Sequence, residues 1–239
     1  MSVLSLRLAG PLQSWGASSR FTRRTTESAP TKSGVIGLLA AAAGIERGDD
    51  TRLAPLAALR FGVRIDQPGA RIRDFHTAHH PVTGASMPLS ERFYLADAVF
   101  VAAVEGDQDL LADLHAALQN PVYPPFLGRR SCTPSGPVEL ALHEDARLDD
   151  VLASVPWQAS GWYRRRHSPQ TLTVLRETAA GEEAEGADVL RDQPVSFDAA
   201  HRRHGLRPVV TTAVPTPGAA GGGGRDVHEP FDVFDGESA

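Results

Sequence analysis

The residues with the clearest chemistry lie in the stretch 30–37, which reads Pro-Thr-Lys-Ser-Gly-Val-Ile-Gly. We predict that a helix begins here, because Thr31 or Ser33 can cap its first N–H groups. Those free N–H groups and the positive end of the helix dipole favour an anion, and Lys32 adds a charge. Gly34 lets a phosphate or another backbone come close, although the residue order is not that of a P-loop. The stretch predicts a phosphate contact, and close packing of the glycines on a sheet is the open alternative.

A second candidate site lies in an irregular loop predicted over residues 121–137. Prolines stiffen this loop, and Gly128 permits a turn. Arg129 and Arg130 project from the turn, with Tyr123 before them and Ser131 after them. Guanidinium groups, a hydroxyl and an exposed ring suit a clamp on the phosphates and bases of a nucleic acid. A surface loop with a solvated charge pair is the alternative.

The positive charge is clustered and is almost entirely guanidinium. Lys32 is the only lysine, and the net charge of the chain is −5. Because local distribution matters more than the sum, the arginine-rich stretches are candidate RNA surfaces. The chosen contacts near the N-terminus are Arg20, Arg23 and Arg24. Two further stretches, 161–167 and 201–207, interleave arginine with aromatic rings or histidine, and a solvated face or an acidic protein partner explains them equally well. Arginine enrichment from a GC-rich genome is a further alternative.

No motif predicts catalysis, a metal or a cofactor. His76, His79 and His80 lack a full ligand set, because Cys132 is the only cysteine and lies far away in sequence. A metal-independent ribonuclease would need a general base near an RNA 2′-hydroxyl. His76, Tyr94 and His167 are the candidates, and nothing in the sequence brings them together.

The elements that must position these residues follow from hydrophobic periodicity. We predict strands, helices and hairpin arms as follows: strand Leu4–Leu8, a helix from Pro30 to Gly44, strand Arg60–Ile65, hairpin arms Ile72–Thr77 and Arg92–Val104, helix Asp107–Leu118, strand Val138–Leu142, short helix Asp149–Val155, strand Thr171–Arg176, and an apolar run Val209–Val214 after a polar segment Pro194–Arg207. This order predicts an α+β fold, with a ferredoxin-like (RRM-like) antiparallel sheet, an extended hairpin and a smaller, less regular C-terminal part. Such sheets often bind single-stranded RNA.

The chain also divides by composition. We predict a first domain over residues 1–145, a C-terminal extension packing on it over 146–214, and a disordered, acidic, glycine-rich tail over 215–239. No apolar run approaches the ~20 residues that span a bilayer, and residues 1–8 alternate polar and apolar side chains. The sequence therefore predicts a cytoplasmic protein without a signal peptide. Cys132 is predicted to be a small buried side chain.

Five blocks of sequence resemble one known family. They are Leu6–Gly16, Pro30–Leu39, Ile72–Thr77, Arg92–Ala98 and Tyr123–Cys132. In this order they are similar to the CasD subunit family of the type I-E CRISPR Cascade complex, a branch of the RAMP superfamily. The match covers roughly residues 3–135 and continues more loosely to about 212.

The resemblance implies a ferredoxin-like RAMP domain with a thumb hairpin at about 72–98, where Arg73, His76 and Arg92 become candidate RNA contacts. It implies that the helix start and the Arg129–Arg130 loop lie by the 5′ handle of the CRISPR RNA. The implied partners are the CasC backbone subunit, the large CasA subunit, the other Cascade subunits and, through the complex, target DNA. RNA processing in this subtype belongs to the CasE subunit, so the resemblance implies a non-catalytic protein.

Two other functions stay open at this point. One is a metal-independent endoribonuclease that processes repeat RNA, as the related subunit does in type I-C systems. The other is a scaffold that binds only proteins, which would assemble independently of salt and leave no RNA footprint on this chain.

Overall fold

The structure is a computed structural model that describes residues 1–16, 23–179, 181–182 and 186–218. The strands in this part of the chain are β1 (Ser2–Ala9), β2 (Leu12–Gln13), β3 (Arg23–Arg24), β4 (Arg60–Gln67), β5 (Ala70–His76), β6 (Ser90–Ala96), β7 (Val99–Gly106), β8 (Glu139–His143), β9 (Thr171–Arg176), β10 (Asp188–Ser196) and β11 (Arg203–Pro215). The helices are α1 (Lys32–Ala42), α2 (Asp50–Ala58), α3 (Gln108–Gln119), α4 (Leu148–Ser154) and α5 (Gly161–Arg166). None of these helices is long and apolar enough to cross a bilayer. Most of the predicted tail lies outside the described residues.

A seven-stranded sheet in the order β10-β11-β9-β4-β7-β1-β8 forms the centre of the molecule, and its neighbouring strands all run antiparallel. The predicted mixture of helices with antiparallel sheet is confirmed. The side-chain alternation of β1 divides the core between two layers. Leu4, Leu6 and Leu8 pack in the core with α1 and α3, whereas Val3 packs on the opposite face with Leu152 of α4.

Local sequence signals set the bounds of α1 and α3. The Thr31 side chain accepts a hydrogen bond from the Gly34 N–H at the start of α1, and Gly44, with φ +66°, follows its end. The Asp107 carboxylate caps α3 in the same way. Leu111, Leu114 and Leu118 lie three and four residues apart and are all buried on the sheet. Both predicted helices are therefore confirmed.

A smaller sheet carries the predicted hairpin. β5 pairs with β6 along its whole length, and β2 and β3 also pair with β6. The prediction of one continuous arm from Arg92 to Val104 is wrong, because the chain turns at Asp97 and passes into β7 of the large sheet. Asp97 has φ 55°, a conformation that a non-glycine residue seldom adopts and that no sequence pattern marked.

The sequence did not predict α2, α5 or β10. Pro55 inside α2 obscured that helix. The segment predicted as polar and irregular over 194–207 instead contributes to β10 and β11, which pair as a long hairpin at the edge of the large sheet. Cross-strand hydrogen bonds stabilise these polar strands, so their hydrophobic periodicity is weak.

Candidate nucleic-acid interface

Three arginines that the sequence predicts as RNA contacts come together beside the small sheet. Arg24 in β3 and Arg92 in β6 are paired neighbours across the two strands. The Arg129 Nη2 donates to the Arg24 backbone oxygen at 2.9 Å, and the Arg129 Cζ lies 4.7 Å from the centre of the Tyr94 ring. Tyr94 is two residues beyond Arg92 in β6 and therefore shares its face. We call Arg24, Arg92 and Arg129 the β6 arginine cluster.

Two donors of the β6 arginine cluster are unsatisfied. The Arg92 Nε and the Arg129 Nη1 are buried without a hydrogen-bond partner. Within the described part of the chain, no carboxylate forms an ion pair with any arginine of the cluster. Asp74 lies opposite Arg92 across the hairpin, but its carboxylate is 2.6 Å from the His76 Nε2. Because a buried guanidinium N–H without an acceptor costs free energy, these groups are suited to a phosphate or base from another molecule.

The loop that carries Arg129 is rigid for local reasons. Gly128 has φ +86°, and a Cβ there would lie 1.8 Å from the Ser14 backbone oxygen, so glycine is required. Leu127 and Cys132 close the turn through the Leu127 N–H to Cys132 O bond of 2.7 Å, and both side chains are buried. The prediction of a buried Cys132 is confirmed. The turn therefore fixes the backbone from which Arg129 reaches Tyr94.

Other predicted contacts lie around this turn or farther away. Arg130 and Ser131 are exposed in the turn itself. Tyr123 is half exposed, and its N–H donates to the Ala41 oxygen near the C-terminal end of α1. That end of α1 is opposite to the helix start at Gly34. Arg20 lies outside the described residues, and the backbone of Arg23 lies in β3 next to Arg24.

The hairpin distributes its predicted contacts over two faces. His76 shares the face of Arg92 and Tyr94, because Ser90, Arg92 and Tyr94 alternate along β6 and His76 pairs with Ser90. Arg73 lies on the other face, where its Cζ is 4.8 Å from the centre of the Phe75 ring. Arg73 is also 3.7 Å from Glu91.

The predicted phosphate contact at the start of α1 is occupied by the protein's own carboxylates. The Lys32 backbone N–H donates to Asp192 at 2.8 Å, and its Nζ lies 2.9 Å from Glu177. The Lys32 side chain is 3% exposed, and this burial lowers the pKa of the amine, against the opposing effect of Glu177. Ser33 is buried, and a Cβ on Gly34 would lie 2.8 Å from the Trp15 ring. RNA binding by these residues stays a prediction.

The structural role of Lys32 can be separated from RNA binding by the variant Lys32→Met. Removing one partner of a buried ion pair is destabilising, but Glu177 keeps the Phe61 N–H and lies 3.6 Å from Arg207. We therefore expect the free energy of unfolding to fall by about 2 kcal/mol, below the usual loss for such pairs. RNA affinity of the folded variant should match that of an Arg52→Met control. A drop in affinity without a loss of stability would show that Lys32 contacts phosphate.

The candidate catalytic residues are not brought together. Tyr94 is buried beneath Arg129, and His76 lies four residues farther along the hairpin from the position opposite Tyr94. His167 stacks on the Tyr163 ring at 4.1 Å after α5. Among the described residues, no group of three or more His, Cys, Asp or Glu side chains has a metal-binding arrangement.

Sequence reasoning missed part of this interface. It weighed Tyr94 only as a catalytic candidate, although the order Arg-Phe-Tyr in a strand already places Arg92 and Tyr94 on one face. It also missed Asp192 and Glu177, which hold Lys32 from 160 and 145 residues away. No local pattern identifies a partner at that separation.

Family comparison places this interface in a known class. Residues 3–210 match the family described as CRISPR-associated protein (Cas_Cas5). Because that match spans most of the sequence, the chain belongs to the Cas5 family of CRISPR-associated proteins.

The more particular likeness is to CasD. The CRISPR system Cascade subunit CasD of Escherichia coli (strain K12) is 35% identical over 157 residues, which are 58% of this chain and 70% of CasD. A chain from a CRISPR RNA-guided surveillance complex superposes with a TM-score of 0.70 at 32% identity, covering 94% of this chain and 95% of that one. A Cas protein crystal structure gives a TM-score of 0.69 at 37% identity, covering 90% and 97%. The CasD resemblance predicted from the sequence is confirmed.

Proposed function

We propose that this chain is a non-catalytic RNA-binding subunit of a cytoplasmic, Cascade-type CRISPR surveillance complex. In this proposal it holds the 5′ handle of the guide RNA and caps one end of the complex. Its partners are the CasC backbone subunit, the large CasA subunit, the other Cascade subunits and, through the complex, target DNA. The relatives carry names of a Cascade subunit and of an RNA-guided surveillance complex, which supports the assignment.

The observation that carries the proposal is the pair of unsatisfied donors in the β6 arginine cluster. The Arg92 Nε and the Arg129 Nη1 lack acceptors, and Arg129 covers Tyr94. A guanidinium stacked on an aromatic ring is held in a plane that phosphate oxygens or a base edge can meet. We assign the phosphates of the handle to Arg24, Arg92 and Arg129. Arg20, Arg23, Arg73, His76, Tyr123, Arg130 and Ser131 are the surrounding contacts in this proposal, and Lys32, Ser33 and Gly34 support the helix start.

We also propose a ferredoxin-like arrangement for the first domain, over residues 1–145, with β5 and β6 as its thumb. Its support is the strand order β4-β7-β1-β8, in which helices lie between β1 and β4 and between β7 and β8. The extension over 146–214 would then widen this domain, because β9, β10 and β11 continue the same sheet.

The proposal is tested by co-expressing the tagged full chain with its neighbouring genes and a CRISPR array. We expect mature guide RNAs with a common 5′ end to copurify together with several Cas subunits, as sequencing of the bound RNA would show. Recovery of the chain alone, without RNA, would refute the proposal. The matched control is an unrelated RNA of the same length in place of the array transcript.

One contact favours the endoribonuclease alternative. His76 lies 2.6 Å from Asp74, and a carboxylate can orient a histidine that acts as a general base. Incubation of the chain with repeat RNA in EDTA distinguishes the two functions. We expect no site-specific product, whereas a cleavage that the His76→Ala or His167→Ala variant abolishes would establish an enzyme.

A further inference from the structure

The helix α5 carries unpaired positive charge. Its sequence is Gly-Trp-Tyr-Arg-Arg-Arg, and Arg164, Arg165 and Arg166 are exposed. Within the part of the chain that the structure describes, none of these three arginines forms an ion pair with a carboxylate, whereas Arg60, Arg64, Arg176 and Arg207 all do. The chain has 29 acidic residues, so the lack of a partner at α5 is a local property of this surface.

The position of α5 is fixed by buried polar groups rather than by its own length. The Ser160 N–H and hydroxyl both donate to the Gln67 Oε1, at 3.1 and 2.8 Å. The Ser160 hydroxyl in turn caps the Tyr163 N–H. Trp157 donates its indole N–H to the Asp66 oxygen at 2.9 Å. The arginines of α5 are therefore presented from a segment attached to the end of β4, which reduces the entropy lost when they bind a ligand.

An exposed aromatic ring lies next to these arginines. Trp162 is 44% exposed and lines a cleft of about 220 Å³ between α5 and the ends of β1 and β6. Arg165 and Arg166 follow Trp162 by three and four residues and so neighbour it on the same side of the helix. Arg7 also lines the cleft, as does one carboxylate, that of Asp97.

We propose that Trp162, Arg165 and Arg166, together with the cleft, bind a single-stranded segment of nucleic acid. The guanidinium groups contact phosphates, and the Trp162 ring stacks on a base. Asp97 can accept a hydrogen bond from a base amino group or a ribose hydroxyl. An acidic protein surface would use the arginines but would not need an exposed indole beside a polar cleft, so the combination favours nucleic acid.

This inference rests on the proposed function and extends it, because the cleft lies close to the β6 arginine cluster. Asp97 follows Arg92 by five residues, which is about 17 Å along an extended strand. A few nucleotides span such a distance, so a strand held at Arg92 can continue over the β6–β7 corner to α5. Two strands have the required chemistry, the guide RNA itself and the target DNA strand that pairs with it.

The test compares Arg165→Ala/Arg166→Ala with the matched control Arg147→Ala/Arg191→Ala, each assembled with guide RNA and the other subunits. The control removes the same charge from exposed arginines elsewhere. Affinities for labelled guide RNA, and then for complementary single-stranded DNA, are measured over a range of salt concentrations. We expect the α5 variant to lose about tenfold in affinity and about 1.4 units of salt slope, two contacts at about 0.7 each for a single strand. The control should lose neither.

The two arms identify the ligand. A loss in the first arm assigns α5 to the guide RNA, and a loss in the second arm alone assigns it to target DNA. Unchanged affinity and slope in both arms would overturn the inference. So would a loss of subunit copurification with unchanged nucleic-acid affinity, because that result would identify an acidic protein partner.

Two further variants keep the inference separable from folding and from the proposed function. Arg165→Lys/Arg166→Lys should retain most of the salt slope, and Trp162→Leu should lower affinity without changing the slope; both serve if the alanine variant fails to fold. An Arg92→Ala/Arg129→Ala variant measured in parallel tests the handle site. If that variant loses RNA while the α5 variant does not, only the α5 inference fails; if it retains RNA, the proposed function fails.

Discussion

Replacing Arg64 with alanine should lower the free energy of unfolding by about 3–5 kcal/mol, the usual loss when one partner of a buried charge pair is removed. Arg64 and Asp66 are both 0% exposed, and the Arg64 Nε lies 2.7 Å from the Asp66 Oδ1. The Arg64 Nη1 also donates to the Leu152 and Val155 oxygens at 2.6 and 2.8 Å. The substitution leaves a buried carboxylate and two or more carbonyl groups without their donors.

Chemical denaturation of the purified chain measures this loss. The control is Arg52→Ala, which removes an exposed guanidinium and should change stability by less than about 0.5 kcal/mol. Arg64→Lys should be intermediate, because an ammonium group keeps the charge but cannot reach the carboxylate and the carbonyl groups together. A loss below about 1 kcal/mol for Arg64→Ala would show that solvent enters this site and that the burial argument is wrong.

Replacing Arg92 and Arg129 together with alanine should weaken guide-RNA binding roughly a hundredfold, since each such contact is worth about 1–3 kcal/mol. The salt slope should fall by about 1.4 units for two lost phosphate contacts on a single strand. Free-chain stability should change by less than about 1 kcal/mol, because donors that lack acceptors contribute little to the fold. This combination distinguishes a binding role from a structural one.

Filter binding or fluorescence anisotropy with a labelled guide RNA measures both quantities. Arg147→Ala/Arg191→Ala is again the charge-matched control. Arg129→Ala/Arg130→Ala separates the stacked arginine from its exposed neighbour: if Arg130→Ala alone accounts for the loss, phosphate binding belongs to the tip of the turn. An unchanged affinity in the Arg92→Ala/Arg129→Ala variant would remove the β6 arginine cluster from the RNA interface.

The contrast between Arg64 and Arg129 shows why arginine-rich sequences are hard to interpret. Gly62, Arg64 and Asp66 alternate along β4 with Phe61, Val63 and Ile65, and this period predicts a polar, solvated face. In the structure, α4 covers that face with Leu148 and Leu152. Arg64 is therefore a buried structural residue, whereas Arg129 keeps an unused donor. Sequence alone could not separate the two roles, because the covering helix comes from more than 80 residues farther along the chain.

The sequence by itself determined the local features of this protein. Thr31 and Asp107 cap their helices, the leucines of β1 alternate into the core, and the blocks around 6–16 and 123–132 are sufficient for the CasD resemblance. Each of these depends on contacts between residues a few positions apart, or on motifs that are read directly. Local propensity and periodicity are therefore enough to predict them.

Only the tertiary structure decided which charges are free. It placed Asp192 at the start of α1, where the sequence predicted a phosphate, and it placed Arg129 over Tyr94 with an unsatisfied N–H. It also ended the hairpin arm at Asp97 and sent β7 into the other sheet. The physical reason is common to all three: the desolvation of a charged group and the pairing of a strand depend on partners that are distant in sequence, which no local pattern specifies.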